Sequence, residues 1–287
     1  MADDSLIIDG ILQSIERTGI ELHHDEATLE HLMPSPPSDG PLTDYRRSAS
    51  FNWRDMKLVV EGEEVIRFKN KIFRTLESDP VFAHSPDEEL TREEAREVTF
   101  KRFKRLMEYN ILSDEDFLGN PLLTQTLYSA IGQYDWSLSA KRFLAYEFVT
   151  FSLRGGGSSR HLAVLDQLVN FDALGCFSLT EFAHGSNTKA MSTRADFDTT
   201  TQEFILNTPD FESAKCWSGN MGQSATHAVC FAQIYVNGQN HGLSGLIVPI
   251  RDPETLLPYP GVTVGDMGPK IGLNGLDNGF LLFKNYR

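Results

Sequence analysis

The sequence predicts an α+β fold, in which an all-helical N-terminal domain is followed by a small antiparallel β-barrel domain. Before residue 175, apolar residues recur every three or four positions, which is typical of helices. After it, short runs rich in β-branched and aromatic residues are separated by Gly, Pro, Asn and Asp, which is typical of strands. Because the strands follow the helices instead of alternating with them, a Rossmann nucleotide site is not expected. The predicted domains are residues 1–40, 41–174 and 175–287.

The first 40 residues are predicted to form a helical extension that ends in a proline-rich linker. Apolar residues at helical spacing between residues 4 and 33 predict one or two short amphipathic helices. Four prolines in MPSPPSDGP, residues 33–41, predict the linker. The histidines before the linker are interpreted as solvent-facing helix residues, with a metal site as the alternative; they are His23, His24 and His31.

The helical domain contains three long segments of helical periodicity, which cover residues 51–78, 85–110 and 136–171. The second begins with a Ser-Pro-acid run and ends rich in Lys and Arg, the charge order that the helix dipole favours. Its basic residues are interpreted as a solvated helix face; they are Lys101, Arg102, Lys104 and Arg105. Three glycines from residue 155 break the third segment into two helices, with Ser158 or Ser159 as the second helix's cap.

Composition limits the classes of function. A net charge of −14 argues against sequence-independent binding to nucleic acid, which requires a basic face. No segment has the roughly 20 apolar residues needed to span a bilayer, and the acidic N-terminus does not resemble a signal peptide. The three cysteines have no metal-ligand spacing, so we expect buried free thiols and no metal; they are Cys176, Cys216 and Cys230.

The motif LTEFAHGSN, residues 179–187, concentrates polar side chains at the predicted boundary between helices and strands. A nucleophilic Ser186 served by His184 is one interpretation, but the two side chains are only two residues apart and no nucleophile elbow surrounds them. A metal pair of His184 and Glu181 is another, and it lacks a third ligand. Both are disfavoured.

Two further interpretations of this motif remain open. In the first it is a structural turn, in which Thr180 and Ser186 hydrogen-bond to backbone and Gly185 supplies a positive φ. In the second it contacts a cofactor, since backbone amides and a threonine hydroxyl match the polar edge of a flavin ring. From the residues alone, the structural turn is favoured.

The segment AKCWSGNMG, residues 214–222, is the second part of the cofactor interpretation. Trp217 offers a flat apolar surface on which a ring could pack. Gly219 and Gly222 lack side chains, which would allow backbone to approach a ligand closely.

These motifs resemble the acyl-CoA dehydrogenase/oxidase superfamily. LTEFAHGSN, preceded by Gly175-Cys176-Phe177, resembles its flavin-contact motif, and His184 and Asn187 resemble the peroxisomal acyl-CoA oxidase branch. Two long stretches, 203–234 and 242–280, are similar to the oxidases' β domain. TPDFESAK and the non-aromatic Cys216 resemble the branched-chain, pristanoyl-type oxidase. The resemblance runs from about residue 40 to the end of the sequence.

The resemblance implies FAD as the cofactor, with contacts at Thr180 and Gly219 and with Trp217 packed near the isoalloxazine ring. It implies, less directly, that Ser186 lies along the CoA side of the substrate channel. The implied reaction converts acyl-CoA and O2 to trans-2-enoyl-CoA and H2O2, the first step of peroxisomal fatty-acid β-oxidation. In it, a glutamate base removes the α-proton while a hydride leaves the β-carbon.

The family's catalytic glutamate lies in a C-terminal helical half that this sequence is expected to lack, so no catalytic residue is assigned. That half would also carry the homodimer contacts and usually a peroxisomal address. We therefore expect peroxisomal location from the resemblance, with a cytosolic location as the alternative. The expected function is that of an acyl-CoA oxidase. The alternative is a non-catalytic truncated chain that acts as an interaction or regulatory partner.

Overall fold

The computed structural model describes residues 26–36, 38–85, 87 and 89–287. These residues divide into two compact units. The first contains the described residues up to Pro80 and Leu112–Ala130, and the second contains Val81–Ile111 and Ile131–Arg287. Most of the helical extension predicted between residues 4 and 33, with His23 and His24, lies outside the described residues. The predicted domain boundaries after residues 40 and 174 stay predictions.

The described helices are α1 Glu26–Leu32, α2 Thr43–Ser48, α3 Trp53–Glu61, α4 Glu63–Ser78, α5 Arg92–Glu108, α6 Asp114–Gly119, α7 Pro121–Tyr134, α8 Trp136–Arg142, α9 Phe148–Gly156 and α10 Leu162–Val169. A π-helical turn, Phe143–Glu147, joins α8 to α9. None of these helices is long and apolar enough to cross a membrane.

The first unit is built around α1, α3 and α4. The segment predicted as one helix over 51–78 is divided by Gly62, whose φ of 81° ends α3 and begins α4. The core cluster of this unit consists of apolar residues from α1, α3 and α4 and of the residue that follows α1; they are Leu32, Met33, Leu58 and Ile66.

Helix α5 of the second unit begins later than its sequence indicated. Thr91, not the Ser-Pro run at residue 85, is the N-cap, and it forms a capping box with Glu94. The prediction that the basic run is a solvated face is wrong for Arg102. That side chain is buried, donates hydrogen bonds to the carbonyls of Val81 and Ala83, and pairs with Asp135.

The glycine break in the third predicted helical segment is confirmed. Helix α9 ends at Gly156, and the chain reaches α10 through a 3-10 turn, Ser159–His161. Ser158 forms a capping box with His161, so it caps this turn and not α10 itself.

The described strands are β1 Gly175–Ser178, β2 Arg194–Asp198, β3 Glu203–Asn207, β4 Lys215–Ser218, β5 His227–Val236, β6 Gln239–Pro249, β7 Val262–Asp266 and β8 Gly279–Phe283. Strand β5 is central in a five-stranded sheet, and β4, β8 and β7 form a three-stranded sheet. The α+β class is confirmed, but two details of the β domain were wrong or remain unconfirmed.

The prediction of an antiparallel domain is wrong in one region, because β1 and β2 both run parallel to β5. Each reaches β5 through a long connection instead of a hairpin, which permits parallel pairing. The described strands form two sheets that do not close on each other, so the barrel is not confirmed.

The main core of the second unit lies between its two sheets. Side chains from alternate positions of β5, such as Ala228, Cys230 and Ala232, pack with Leu281 and Phe283 of the smaller sheet. The opposite face of the larger sheet packs against α9 and α10; its contacts include Val149, Leu168, Phe177 and Val229. Because the two faces of β5 are buried against different elements, the register of this strand is fixed. The candidate site lies on a loop between two strands that both pair with β5.

Candidate functional site

The loop that carries LTEFAHGSN leaves the larger sheet and rejoins it at the same edge of β5. Strand β1 pairs with β5 as far as Ser178↔Cys230, and β2 pairs with it from Arg194↔Gln233. Residues 179–193 are therefore an excursion from one strand edge, which we call the edge loop. Both ends of the edge loop are fixed by sheet register, so its residues are held on a rigid support.

The Glu181 side chain connects the two ends of the edge loop. Its carboxylate accepts hydrogen bonds from the backbone N–H groups of Ser192 and Thr193, both at 2.8 Å. Lys215 of β4 donates to the same carboxylate at 3.0 Å and to the carbonyl of Leu179 at 2.8 Å. The carboxylate thus ties the start of the edge loop to its end and to a second strand.

This ion pair is fully buried, with 0% side-chain exposure for both partners. Burial acts to raise the pKa of Glu181, but hydrogen bonds from Thr193 and Ser192 and the Lys215 ammonium outweigh it, so the pKa lies below its ordinary value. A carboxylate held charged by three donors is a poor proton acceptor. Glu181 is therefore a structural residue and not a catalytic base.

Backbone hydrogen bonds bring the two sequence-predicted segments side by side. The N–H of Cys216 donates to the carbonyl of Thr180 at 3.0 Å, and the N–H of Phe182 donates to that of Ala214 at 3.1 Å. The residue that follows Cys216 is Trp217. The structure therefore brings the Thr180 segment and the Trp217 segment together, as the cofactor interpretation required.

Thr180 and Trp217 both have side-chain surface available to a ligand. Within the part of the chain that the structure describes, the Thr180 hydroxyl makes no hydrogen bond, although the residue is half-buried. Trp217 exposes 57% of its surface. Its backbone has a φ of +63° and its N–H donates to Met267 Sδ at 3.3 Å. A tryptophan held in this uncommon conformation with its ring exposed is typical of a functional position.

Gly219 is explained by packing within the protein. A Cβ at this position would lie 2.5 Å from Leu144 Cδ1 and 3.1 Å from Leu276 Cδ2. Gly222 is similarly restricted, because its Cβ would lie 2.7 Å from the Asp266 carboxylate. These glycines thus permit close approach of other parts of the chain, and the predicted flavin contact of the Gly219 backbone stays a prediction.

The structural-turn interpretation of the edge loop finds no support in the hydroxyls or the glycine. Among the described residues, neither Thr180 nor Ser186 makes a side-chain hydrogen bond, and Gly185 does not have a positive φ. A Cβ on Gly185 would meet nothing within 4 Å. Ser186 is exposed in the outer part of the edge loop, apart from the backbone contacts that join Thr180 to β4.

The two disfavoured chemistries gain no support from the described residues. No hydrogen bond joins His184 to Ser186, and no group of three or more potential metal ligands occurs in the described part of the chain. The carboxylate of Glu181 is engaged by Lys215, so it does not pair with His184 as a metal ligand.

Sequence reasoning missed a second buried cation that supports the Trp217 segment. Lys141 of α8 donates to Asn220 Oδ1 at 2.9 Å and to Asp277 Oδ1 at 2.8 Å. Burial acts to raise the pKa of Asp277, but Lys141 and hydrogen bonds from Ser224 hold it below its ordinary value. Lys141 and Lys215 lie in the sequences SLSAKR and ESAKCW, where polar residues are close neighbours, so no local pattern marked either lysine as buried.

Comparison with known proteins agrees with this architecture. Residues 176–286 match the family described as acyl-CoA dehydrogenase, middle domain. The human protein named peroxisomal acyl-coenzyme A oxidase 3 is 51% identical over 89% of this chain, and the Caenorhabditis elegans acyl-coenzyme A oxidase acox-3 is 40% identical over 86%. This chain spans 37% of the length of each of these relatives.

A solved structure is similar to this chain in both fold and sequence. The C. elegans acyl-CoA oxidase-2, described as bound with FAD, ascaroside-CoA and ATP, matches 88% of this chain with a TM-score of 0.74 and 32% identity. The match covers 38% of that protein's chain. Sequence motifs, the fold of the second unit and these relatives agree, and over most of its length the chain is similar to peroxisomal acyl-CoA oxidases.

Proposed function

We propose that this chain contributes the flavin-facing and part of the substrate-facing surface of a FAD-dependent acyl-CoA oxidase. The observation that carries the proposal is the pairing of an unbonded Thr180 hydroxyl with an exposed Trp217 indole on adjacent backbone segments. Both segments are fixed by buried ion pairs, so the two side chains are preorganised instead of mobile. The alternative of a non-catalytic interaction partner is not favoured by the comparisons.

The described residues fit a flavin. An isoalloxazine ring has an apolar face and a polar edge, which match an exposed indole and a hydroxyl that lacks a partner. Thr180 would bond the polar edge, Trp217 would pack near the ring, and the backbone of Gly219 would contribute a further contact. The chemistry that FAD would supply is acceptance of a hydride from the acyl chain and delivery of two electrons to O2.

The chain's own residues bind and orient in this proposal. We assign none of them the removal of the α-proton, since the buried carboxylate nearest to Thr180 in sequence, Glu181, is held charged by Lys215 and two backbone N–H groups. Ser186 would lie beside the CoA portion of the substrate, where its exposed hydroxyl can exchange a hydrogen bond to water for one to the substrate.

The proposed substrates are an acyl-CoA thioester and O2, in the conversion to trans-2-enoyl-CoA and H2O2. The relatives' names support a peroxisomal location, and we propose the same location for this protein. The family's homodimer is proposed only together with the C-terminal helical half, which would carry the dimer contacts. The resemblance of TPDFESAK to the branched-chain type makes a methyl-branched acyl chain the first substrate to assay.

The proposal is tested by titrating the purified chain with FAD and following tryptophan fluorescence. Thr180→Val removes one hydroxyl at nearly constant volume, and loss of a hydrogen bond worth about 1 kcal/mol should weaken FAD binding roughly fivefold. Thr188→Val, in the same edge loop, is the matched control and should leave the affinity unchanged. Equal affinities for the two variants, or no saturable quenching up to about 1 mM FAD, would contradict the proposal.

A further inference from the structure

The first unit contains two adjoining cavities whose linings differ in chemistry. One, of about 720 Å3, is lined mainly by apolar and aromatic side chains. The other, of about 460 Å3, is lined by basic and polar side chains. Leu32 and Asn70 line both cavities, so the two adjoin, and together they make an amphipathic cleft beside α1 and α4. We call it the α1–α4 cleft.

The apolar part of the α1–α4 cleft leaves large hydrophobic side chains uncovered. Leu42, Tyr45 and Phe51 expose 53%, 76% and 44% of their surfaces, and the partly exposed Trp53 lies beside them. Clustered exposed apolar surface around a concavity is typical of a binding site. The cavity also has the size of small-molecule pockets, which are about 300–1,000 Å3.

The basic part is a stripe along one face of α4. Arg67, Lys71 and Arg74 are spaced at i, i+4 and i+7, which places them on the same side of the helix, and His31 lines the cavity from α1. Arg67 pairs with Glu63, whereas Arg74 has no ion pair or hydrogen bond within the described part of the chain.

The charge of this stripe contrasts with that of the whole chain. Among the described residues that line the two cavities, none is acidic, although the protein has a net charge of −14. A local basic cluster on an acidic protein attracts an anion selectively to one place. Guanidinium groups are well suited to phosphate, because their planar N–H donors match two phosphate oxygens.

We propose that the α1–α4 cleft binds one molecule of a single-chain amphiphile with a phosphate-bearing head. The acyl chain occupies the apolar cavity, and the phosphate lies against Arg67 and Arg74. The ligand binds as a monomer, because a concave cavity admits a single chain, whereas attachment to a membrane surface uses an outward-facing apolar helix face. This site uses none of the residues proposed to contact flavin.

The test is calorimetric titration of the purified 287-residue chain with 1-oleoyl lysophosphatidate below its critical micelle concentration. Lysophosphatidate is the probe because an acyl-CoA would also be drawn to the proposed active-site surface. We expect saturable binding of one ligand per chain, and at least about tenfold weaker binding of mono-oleoylglycerol, which lacks the phosphate, and of inorganic phosphate, which lacks the chain. Saturation by phosphatidate-containing vesicles without binding of the monomer would overturn the proposal.

Variants separate the head and tail contributions. Arg67→Gln/Arg74→Gln should weaken lysophosphatidate binding about tenfold or more and leave mono-oleoylglycerol binding unchanged. The matched control is Lys101→Gln/Lys104→Gln on α5, in which Lys101 is ion-paired as Arg67 is.

Ala49→Phe places a ring in the apolar cavity at an exposed position, so it should weaken both chain-bearing ligands without disturbing the fold. Absence of saturable lysophosphatidate binding to the wild-type chain, or an equal loss in the two charge variants, would refute the site.

Discussion

Replacement of Lys215 by methionine would leave the Glu181 carboxylate buried without its cation. Methionine retains the approximate length of lysine and its apolar stem, so the substitution removes charge and hydrogen bonds more than volume. In the wild-type chain the ammonium bonds Glu181 at 3.0 Å and the Leu179 carbonyl at 2.8 Å, with both charged partners fully buried. Removing one member of such a pair costs about 3–5 kcal/mol, because the remaining charge has lost its compensation.

The double variant distinguishes an ion pair from general disruption. Glu181→Gln/Lys215→Met removes both charges. Its free energy of unfolding should therefore exceed, by about 1–3 kcal/mol, the value expected from adding the costs of the two single substitutions. Urea denaturation at pH 7, followed by tryptophan fluorescence, measures all four chains of the cycle. Lys101→Met, which breaks the exposed Lys101–Glu97 pair, is the control and should cost less than about 1 kcal/mol. A Lys215→Met cost equal to that of the control would refute the reasoning.

The same pair predicts a dependence on pH. The pKa of Glu181 is lowered from its ordinary value of 4.5, so its charged form is favoured by folding. That contribution is fully present above the pKa of the unfolded chain and is lost as the pH falls below about 4.5 through the lower folded-state pKa. The stability difference between wild type and Glu181→Gln should therefore narrow as acid is added. A difference that stays constant from pH 7 to about pH 3 would contradict this assignment.

Two further predictions concern packing and thiol chemistry. Gly219→Ala places a methyl group 2.5 Å from Leu144 and should lower the free energy of unfolding in urea by about 1–3 kcal/mol. Gly185→Ala faces open space and should change it by less than about 0.5 kcal/mol. Similar costs for the two variants would contradict the packing account. The three cysteines should resist a thiol reagent at pH 8 until the chain is unfolded, because all are buried and burial raises the pKa of Cys230 to about 11; modification of any of them in the folded chain would refute this prediction.

Periodicity predicted the change from helices to strands along the chain, but it could not predict how the strands pair. The change of pattern at residue 175 coincides with the start of β1. The parallel pairing of β1 and β2 with β5 was not foreseen, because it depends on which edge a distant strand reaches. Strand β7 was also missed, since VTVGD is short and lies among turn residues.

The candidate site was also predicted only in part from the sequence. Thr180 and Trp217 were singled out by residue type and by resemblance, and the structure joins their segments through Cys216. The lysines that fix these segments were not found. A partner 34 residues away in sequence, as for Lys215 and Glu181, leaves no local pattern, because only the folded chain brings the two side chains together.

The surroundings of Glu181 argue against a role as the catalytic base. A glutamate next to a flavin contact is a tempting candidate for the base that abstracts the α-proton, yet a base must be able to accept a proton near neutral pH. Glu181 is buried, accepts hydrogen bonds from two backbone N–H groups and from Lys215, and has a lowered pKa. Every one of these features favours its charged, fully bonded state. The same features make it effective at holding residues 179–193 against β4, and a residue selected to hold its bonds permanently cannot also exchange protons in each turnover.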